Sequence, residues 1–309
     1  MSAALAVPAA IGFVGVGNMG RPMAARLVAA GYALEIFDID RRAAQGFVER
    51  HGGRIAPSLA ALGQASEAVI TMLPDANSVR EAVLSADGAA SGLAAGSLVI
   101  DMSSCDPTAT RALGAELERR GLSLIDAPVS GGVKRAEDGS LSAMVGGEAA
   151  LVERAMPLLR AMARDIFQTG PLGSGHAMKA LNNMVSAAGL WIAVEAVRVG
   201  EAFGLEPVTV VDILNASTGR NNSTENKLKQ QMLSRRFASG FSLGLMAKDL
   251  KAAASLADAT RLETPLLHHC AALFGEAAQA LGGAEDHTAI VKFLERRDAA
   301  KAEEGGRNG

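Results

Sequence analysis

The stretch IGFVGVGNMGRPMAARLVAAGYALEIFD, residues 11–38, decides the fold class of this chain. An apolar run leads into Gly15-x-Gly17-x-x-Gly20, a helix-like segment follows, and a second apolar run ends at an acid. In a dinucleotide-binding βαβ unit the first glycine makes the tight turn. The second lets a pyrophosphate approach the backbone, and the third lets helix and strand pack closely. The pyrophosphate lies on free N–H groups at the helix N-terminus, so Asn18 and Met19 are expected to belong to the same binding loop.

Asp38 determines which dinucleotide the sequence favours. A carboxylate at the end of the second strand accepts both ribose hydroxyls of NAD and repels a 2′-phosphate. Arg41 and Arg42 follow closely and offer charges that could hold such a phosphate instead. The sequence therefore favours NAD, with NADP as the alternative.

The composition is that of a soluble globular protein. The chain has 309 residues, of which 49% are hydrophobic and 20% charged, with a formal net charge of −3, and its length allows two domains. No basic stripe with interleaved aromatic residues occurs, so no nucleic-acid partner is expected. Cys105 and Cys270 cannot form a disulfide framework, and no Cys/His spacing indicates a metal site. The apolar N-terminal segment lacks a basic leader, which favours a cytoplasmic location.

Short apolar runs continue the alternation of strand and helix after Asp38. Residues 68–73, 97–102 and 122–125 have the composition of buried parallel strands, with alanine-rich helical stretches between them. The carboxyl ends of such strands face the cofactor crevice. The turns at residues 71–74 and 101–104 are therefore predicted to lie beside the ligand.

A long apolar stretch over residues 176–203 predicts a single helix. It is apolar on most faces, which favours burial in a protein core or, alternatively, a membrane span. Six polar or charged residues argue against the membrane alternative: Lys179, Asn182, Asn183, Glu195, Arg198 and Glu201. No membrane partner is therefore expected.

The fold class predicted is α/β, with an N-terminal Rossmann dinucleotide-binding domain followed by an all-α C-terminal domain, joined by the long helix. The first domain is expected over residues 1–172 and the second, all-α domain over 173–297. The charged, glycine-containing tail over 298–309 is predicted to be disordered.

Two groups of residues have the chemistry of a catalytic site. Lys179 and Asn183 are four residues apart and therefore share one face of the long helix. A lysine in an apolar stretch costs free energy unless it is paired or used, and here it suits a general acid/base. The segment Ser130-Gly131-Gly132 follows a predicted strand and offers a hydroxyl and backbone N–H groups to a carboxylate.

Four ordered motifs together resemble the β-hydroxyacid dehydrogenase family over nearly the whole chain, from about residue 11 to 294. They are GFVGVGNMGRPMA (12–24), DAPVSGGVKRAEDGSLSAMVGG (126–147), GSGHAMKALNN (173–183) and MAKDL (246–250). The resemblance implies a hydride transfer between a small 3-hydroxy acid and a nicotinamide cofactor.

The resemblance also implies roles for individual residues. Lys179 matches the family's proton donor or acceptor, Asn183 the asparagine that helps hold substrate, and Ser130, Gly131 and Gly132 the carboxylate-binding loop.

On the cofactor side, Ser104 matches a residue near the nicotinamide ribose, and Leu73 and Pro74 lie in the adenosine-side turn. Lys248 matches a cofactor-contacting lysine. The family's all-α domain also forms the subunit interface, which implies a homodimer or homotetramer.

The loop over residues 217–223 departs from many relatives, which have an apolar or aromatic residue after its Gly-Arg pair. Here the loop is polar and contains Arg220. We therefore expect Arg220 to contact substrate, and a substrate more polar than 3-hydroxyisobutyrate, such as a hydroxylated or sulfonated acid. A salt-bridged interface residue is the alternative role for Arg220.

Two other functions fit the same fold. One is an imine reductase-like enzyme, but such enzymes usually lack the lysine present here at 179. The other is a non-catalytic NAD-sensing module, which is expected to have lost the lysine, asparagine and serine that this chain retains.

Overall fold

Helices and strands alternate through the first part of the chain, as the apolar runs predict. The computed structural model describes residues 4–7 and 9–307, which divide into two compact units, one ending at Lys179 and the other beginning at Ala180. The strands are β1 (Ala10–Val14), β2 (Ala33–Phe37), β3 (Arg54–Ile55), β4 (Ala68–Thr71), β5 (Leu98–Asp101), β6 (Ser123–Asp126), β7 (Val129–Ser130), β8 (Leu141–Gly146) and β9 (Ala163–Gly170).

The helices of the first unit connect these strands. They are α1 (Gly20–Ala29), α2 (Arg41–His51), α3 (Leu59–Gln64), α4 (Ala76–Leu84), α5 (Ala89–Gly92), α6 (Pro107–Glu118), α7 (Gly132–Glu137) and α8 (Ala149–Met162). The long helix α9 (Ser174–Phe203) begins in this unit and continues into the second. The two units therefore divide inside α9, whereas the predicted domain boundary lies just before it.

The sheet has the strand order β3-β2-β1-β4-β5-β6-β8-β7, and β9 pairs with β8. Strands β1 to β6 are parallel, and the sequence predicts five of them because their buried residues form continuous apolar runs. The sequence does not predict β8 and β9. Strand β9 has the sequence ARDIFQTG and is largely accessible to solvent, so it offers no apolar run to identify it.

The second unit is helical, as predicted, apart from one isolated bridge between Ser242 and Asp286 in its described residues. Its elements after α9 are α10 (Pro207–Ala216), α11 (Asn222–Asn226), a π-helical turn (Leu228–Leu233), α12 (Leu243–Thr260), α13 (Pro265–Leu281), a 3₁₀ turn (His287–Ala289) and α14 (Ile290–Arg307). Helix α9 is long and apolar enough to cross a membrane by length and composition alone, with a mean hydropathy of 1.3. However, its buried side chains Leu190, Val194 and Val197 belong to the core of this unit.

The end of the chain differs from the prediction. Helix α14 continues to Arg307, so the expectation of a disordered tail is wrong for residues 298–307. Ala299, Ala300 and Lys301 are strong helix formers that extend the preceding helix. Asp298 also forms an ion pair with Arg198 of α9. The remaining two residues of the predicted tail lie outside the described residues.

Asp286 organises the polar interior of the second unit. Its carboxylate accepts hydrogen bonds from the N–H groups of Ser239, Gly240 and Thr288 at 2.7, 3.1 and 3.0 Å and from the hydroxyls of Ser239 and Thr288. The adjacent His287 is buried, and its Nδ1 lies 3.0 Å from the Phe241 carbonyl oxygen. Burial lowers the pKa of His287 to about 4, and the charge of Lys227 adds to this shift.

The state of His287 gives a prediction for stability. The unfolded chain protonates this imidazole below its usual pKa of 6.5, whereas the folded protein holds it neutral down to about pH 4. The contribution of His287 to the free energy of unfolding is therefore fully present above pH 6.5. It is lost as the pH falls from 6.5 to about 4, by about 3 kcal/mol in total. Urea denaturation across this pH range should show a flatter dependence for His287→Asn than for the parent protein. His269→Asn, which alters an exposed imidazole, is the control, and equal slopes for all three proteins would contradict the assignment.

Candidate active site

The carboxyl ends of the parallel strands form one edge of the sheet. Register places Phe37 beside Val14, Val14 beside Thr71, Thr71 beside Asp101 and Asp101 beside Asp126. The loops that leave this row contain residues 15–20, 38, 73–74 and 104, so the predicted cofactor-side residues of the first unit share one sheet edge. Strand order reverses between β1 and β4, which is where ligands bind in such sheets.

The three glycines after β1 differ in what surrounds them. A Cβ on Gly15 would lie 2.4 Å from the Met72 carbonyl oxygen, and a Cβ on Gly20 would lie 1.8 Å from the Gly15 carbonyl oxygen. Both positions are therefore closed by backbone. A Cβ on Gly17 would meet nothing within 4 Å, so the backbone there faces open space.

The N-terminus of α1 is suited to a phosphate group. No side chain caps this helix, whereas Asp40, Ser58 and Asp75 cap helices α2, α3 and α4. Its first N–H groups and the open backbone at Gly17 together match the requirements of a dinucleotide pyrophosphate. The residues present thus fit the cofactor that the sequence indicates.

Asp38 lies directly after β2 and is partly buried. One carboxylate oxygen accepts the Val16 N–H at 2.8 Å, and the other accepts the Asp40 N–H at 2.9 Å. These two bonds fix the carboxylate beside the glycine loop. Since a carboxylate has about four acceptor positions, it can still receive ribose hydroxyls.

Ser103 joins the two turns that the sequence places beside the cofactor. Its hydroxyl accepts the Leu73 N–H at 2.9 Å, and its own N–H donates to Asp101 Oδ1 at 3.0 Å. Sequence reasoning selected the neighbouring Ser104 and missed Ser103, because only the fold brings residue 103 against residue 73.

Asp126 fixes the start of α9. Its fully buried carboxylate accepts the N–H groups of Gly173 and His176, both at 2.7 Å. Burial raises the pKa of Asp126, while the His176 ring and the two N–H groups oppose the rise. The position that begins the DAPVSGG motif therefore also caps the helix that carries Lys179.

His176 is the centre of a buried network that sequence reasoning missed. Its Nδ1 lies 2.8 Å from the Thr110 hydroxyl and 3.6 Å from Asp126, and its Nε2 lies 3.1 Å from the Ser103 carbonyl oxygen and 3.8 Å from Asp101. The donor atoms of Asp101, Cys105 and His176 lie within 4.8 Å of one another, a spacing that a metal ion could use. Both ring nitrogens already have protein partners, so the arrangement is that of a structural hydrogen-bond network.

Lys179 and Asn183 lie one turn apart on α9, and both are buried. In the second unit, Asn183 Nδ2 donates to Asp249 Oδ2 at 2.5 Å, which directs the amide oxygen away from that carboxylate. Lys248 Nζ lies 3.5 Å from the other Asp249 oxygen. Asp249, which sequence reasoning did not select, therefore positions one predicted substrate residue and contacts a predicted cofactor residue.

The predicted carboxylate loop begins with the last residue of β7. Ser130 is partly buried, whereas Gly131 and Gly132 are exposed and have φ angles of 135° and 70°, which favour glycine. Arg220, in the second unit, is exposed and lies 3.7 Å from Glu225. The contact of Arg220 with substrate stays a prediction, as does the role of the glycine loop.

Two family matches cover most of the chain. Residues 10–170 match the NAD-binding domain of 6-phosphogluconate dehydrogenase, and residues 173–294 match a domain described as the NAD-binding domain of NADP-dependent 3-hydroxyisobutyrate dehydrogenase.

Individual relatives agree with these matches. The chain is 39% identical to an NAD-dependent L-serine dehydrogenase of Pseudomonas aeruginosa, over 83% of this chain and 88% of the relative. It is 34% identical to the 2-(hydroxymethyl)glutarate dehydrogenase of Eubacterium barkeri, over 93% and 95%.

Solved structures separate the dehydrogenases from the imine reductases. The 3-hydroxyisobutyrate dehydrogenase of Mycobacterium tuberculosis with L-serine has a TM-score of 0.85 and 34% identity, over 93% of this chain and 99% of that one. An imine reductase from Myxococcus stipitatus has a TM-score of 0.65 at 14% identity, over 93% and 100%, and shares the fold alone.

The glycine geometry predicts that two similar substitutions have different effects. Gly17→Ala adds a methyl group to open space, so it should leave the melting temperature unchanged and weaken NADH binding by about tenfold or more, because the methyl occupies pyrophosphate space. Gly20→Ala forces backbone apart and should destabilise the fold by about 1–3 kcal/mol. Thermal melts and NADH fluorescence titrations measure the two effects. Unaltered NADH affinity in Gly17→Ala would exclude this loop as the pyrophosphate site.

Proposed function

The chain belongs to the β-hydroxyacid dehydrogenase family, and on this premise we propose that it is an NAD-dependent oxidoreductase acting on a small 3-hydroxy acid. The observation that carries the proposal is the buried pair Lys179 and Asn183 on one face of α9, in a chain whose Rossmann unit has an open glycine loop. Its curated relatives are 3-hydroxyacid dehydrogenases, and its imine reductase neighbours are more distant.

We propose that the cofactor is held by Gly15, Gly17, Asn18, Met19 and Gly20 at the pyrophosphate and by Asp38 at the adenosine ribose. Leu73 and Pro74 would contact the adenosine side, Ser104 the nicotinamide ribose, and Lys248 the cofactor. When bound, the nicotinamide supplies the hydride acceptor.

Asp38 is proposed to set the preference for NAD over NADP. A fixed carboxylate repels a 2′-phosphate, while Arg41 and Arg42 are close enough in sequence to attract one. Asp38→Ser removes the negative charge and should lower the ratio of NADPH to NADH dissociation constants by about tenfold or more. Fluorescence titration of both cofactors measures this ratio, with Asp87→Ser as a control acidic position remote in sequence. Tight NADPH binding and weak NADH binding by the parent protein would overturn the preference.

The chain's own residues provide the proton chemistry. We propose that Ser130, Gly131 and Gly132 bind the substrate carboxylate, and that Lys179 Nζ accepts the proton of the 3-hydroxyl as the C3–H bond gives up its hydride. Asn183, whose amide is oriented by Asp249, holds the substrate in line. Arg220 and the polar loop over 217–223 are proposed to favour a substrate more polar than 3-hydroxyisobutyrate.

Replacing the lysine tests this mechanism. Lys179→Ala should retain NADH binding and lose about 10²–10⁴-fold in kcat, the usual contribution of a positioned general acid or base. Absorbance at 340 nm with NAD⁺ and a panel of 3-hydroxy acids measures turnover, and the panel contains 3-hydroxyisobutyrate, glycerate, threonate, serine and a sulfonated member. Lys251→Ala, on exposed α12 surface, is the control.

Each outcome of that panel bears on one part of the proposal. Near-normal turnover by Lys179→Ala would remove the lysine from the mechanism. If 3-hydroxyisobutyrate were the best substrate, the polar specificity would be wrong. Silence with every acid despite cofactor binding would favour imine reduction or NAD sensing.

We also infer a cytoplasmic homodimer or homotetramer. Apolar side chains recur every seven residues along one exposed stripe of α9: Met178, Val185, Ile192 and Val199. Exposed apolar stripes of this kind are typical of subunit contacts.

A further inference from the structure

We propose that Lys227 and Ser186 form a subsite for a second anionic group of the substrate, a carboxylate or sulfonate carried on the chain beyond C2. The inference rests on the proposed function, because it places this subsite along the same face of α9 as Lys179 and Asn183. The sequence did not single out either residue.

Few protein groups interact directly with the charged end of Lys227. The side chain is partly buried, and its Nζ donates to Ser186 Oγ at 3.3 Å. Among the described residues it forms no ion pair within 4.0 Å, although an ammonium group has three donors. Burial holds the pKa of Lys227 below its usual value, and Asp286 opposes this only in part.

Asp286 is already saturated by other partners. Its two oxygens accept hydrogen bonds from five donor groups of Ser239, Gly240 and Thr288, whereas a carboxylate has about four acceptor positions. It therefore acts on Lys227 only as a distant charge. A ligand anion would provide the direct partner that Asp286 does not.

The contact with Ser186 locates the Lys227 ammonium group along α9 relative to Lys179, the proposed acid/base. Lys179, Asn183 and Ser186 are separated by four and three residues, so they lie within one narrow face of the helix. At about 1.5 Å per residue, Ser186 lies about 4.5 Å along the helix axis beyond Asn183 and about 10 Å beyond Lys179. An acid whose hydroxyl is at Lys179 and whose chain extends by about two to four carbons along this face would present its distal group to Lys227.

A second unsatisfied polar group belongs to the same cluster. His287 is 2% exposed, its Nε2 has no hydrogen-bond partner among the described residues, and the charge of Lys227 helps to lower its pKa to about 4. Nε2 is therefore a buried acceptor in a ring that the charge of Lys227 affects. Such a group is costly unless it is satisfied, and a hydroxyl or water that accompanies the ligand would satisfy it.

The local backbone is also unusual. Lys227 immediately precedes the π-helical turn, and its carbonyl accepts the N–H groups of both Gln231 and Met232, at 2.8 and 3.2 Å. π-Helical turns are rare and occur frequently at functional sites. The turn therefore supports a ligand-facing role for the residue at its start.

Two substrates that differ only in the distal group provide the test. In 2-(hydroxymethyl)glutarate a carboxyethyl group replaces the methyl group of 3-hydroxyisobutyrate, and the primary hydroxyl and carboxylate are the same. The ratio of kcat/KM for the first to that for the second measures the effect of the added carboxyethyl group, its length and its charge together. The 5-amide of 2-(hydroxymethyl)glutarate has the same chain length but no distal charge, so it distinguishes recognition of the charge from recognition of the chain length.

The parent enzyme should prefer the diacid over both the monoacid and the amide. Lys227→Met should lower the diacid-to-monoacid ratio by about 10–100-fold, the range for a charge-assisted hydrogen bond. Lys227→Arg should restore most of the ratio, because it returns the charge. Lys229→Met is the matched control: Lys229 lies in the π-helical turn that follows Lys227, forms an ion pair with Asp212, and its replacement should leave the ratio unchanged.

The possible results distinguish failure of the proposed subsite from failure of the proposed dehydrogenase function. If 3-hydroxyisobutyrate is oxidised but the ratio is the same in the parent and in Lys227→Met, the subsite is excluded while the dehydrogenase function stands. If no 3-hydroxy acid is oxidised, the function fails and the subsite fails with it. A preference for the amide equal to that for the diacid would show that length, and not charge, is recognised. Circular dichroism of each variant establishes that it is folded.

Discussion

The buried carboxylate of Asp126 is the constraint on which the site depends. It ends strand β6 and accepts the N–H groups of Gly173 and His176, so it ties the start of α9 to the edge of the sheet. A carboxylate removed from water is costly unless its acceptor positions are filled, and here the filling groups are the otherwise unpaired N–H groups of a helix terminus. Because Lys179 follows His176 by less than one turn, the same two hydrogen bonds that satisfy Asp126 fix the position of the proposed acid/base.

The parts of the fold that the sequence predicts are those whose signal is local. Gly15, Gly17 and Gly20 lie within six residues, and their spacing predicts where the backbone leaves no room for a side chain. In the structure, a Cβ would clash with backbone at Gly15 and Gly20 and would meet nothing within 4 Å at Gly17. Five of the parallel strands are predicted because most of their residues are buried on both faces, whereas the short, exposed β3 is not. Strand β9 and the last turns of α14 are not, since β9 is half exposed and the tail has a composition shared by disordered segments and exposed helices.

The same distinction applies to the candidate site. Lys179 and Asn183 can be predicted from one helical period. In contrast, the contacts of His176 reach back to Ser103 and Thr110, which are 73 and 66 residues away, and those of Asn183 reach forward 66 residues to Asp249. No periodicity or spacing encodes such pairs, because they arise only when strand order and helix packing are known. Ser103, Asp126, His176 and Asp249 are for this reason positioning residues that the fold reveals.

Helix α9 carries both apolar core residues and polar side chains, and the protein satisfies those polar groups in two different ways. Asn183 is given a carboxylate partner at 2.5 Å, which orients its amide and leaves little freedom. Ser186 receives a hydrogen bond from the end of Lys227, a flexible cation that has two further donors and forms no ion pair within 4.0 Å among the described residues. The first arrangement suits a group that must act in one geometry for every substrate. The second suits a group whose partner arrives with the ligand, so the proposed reaction centre and the proposed determinant of specificity lie at differently satisfied positions along one helix face.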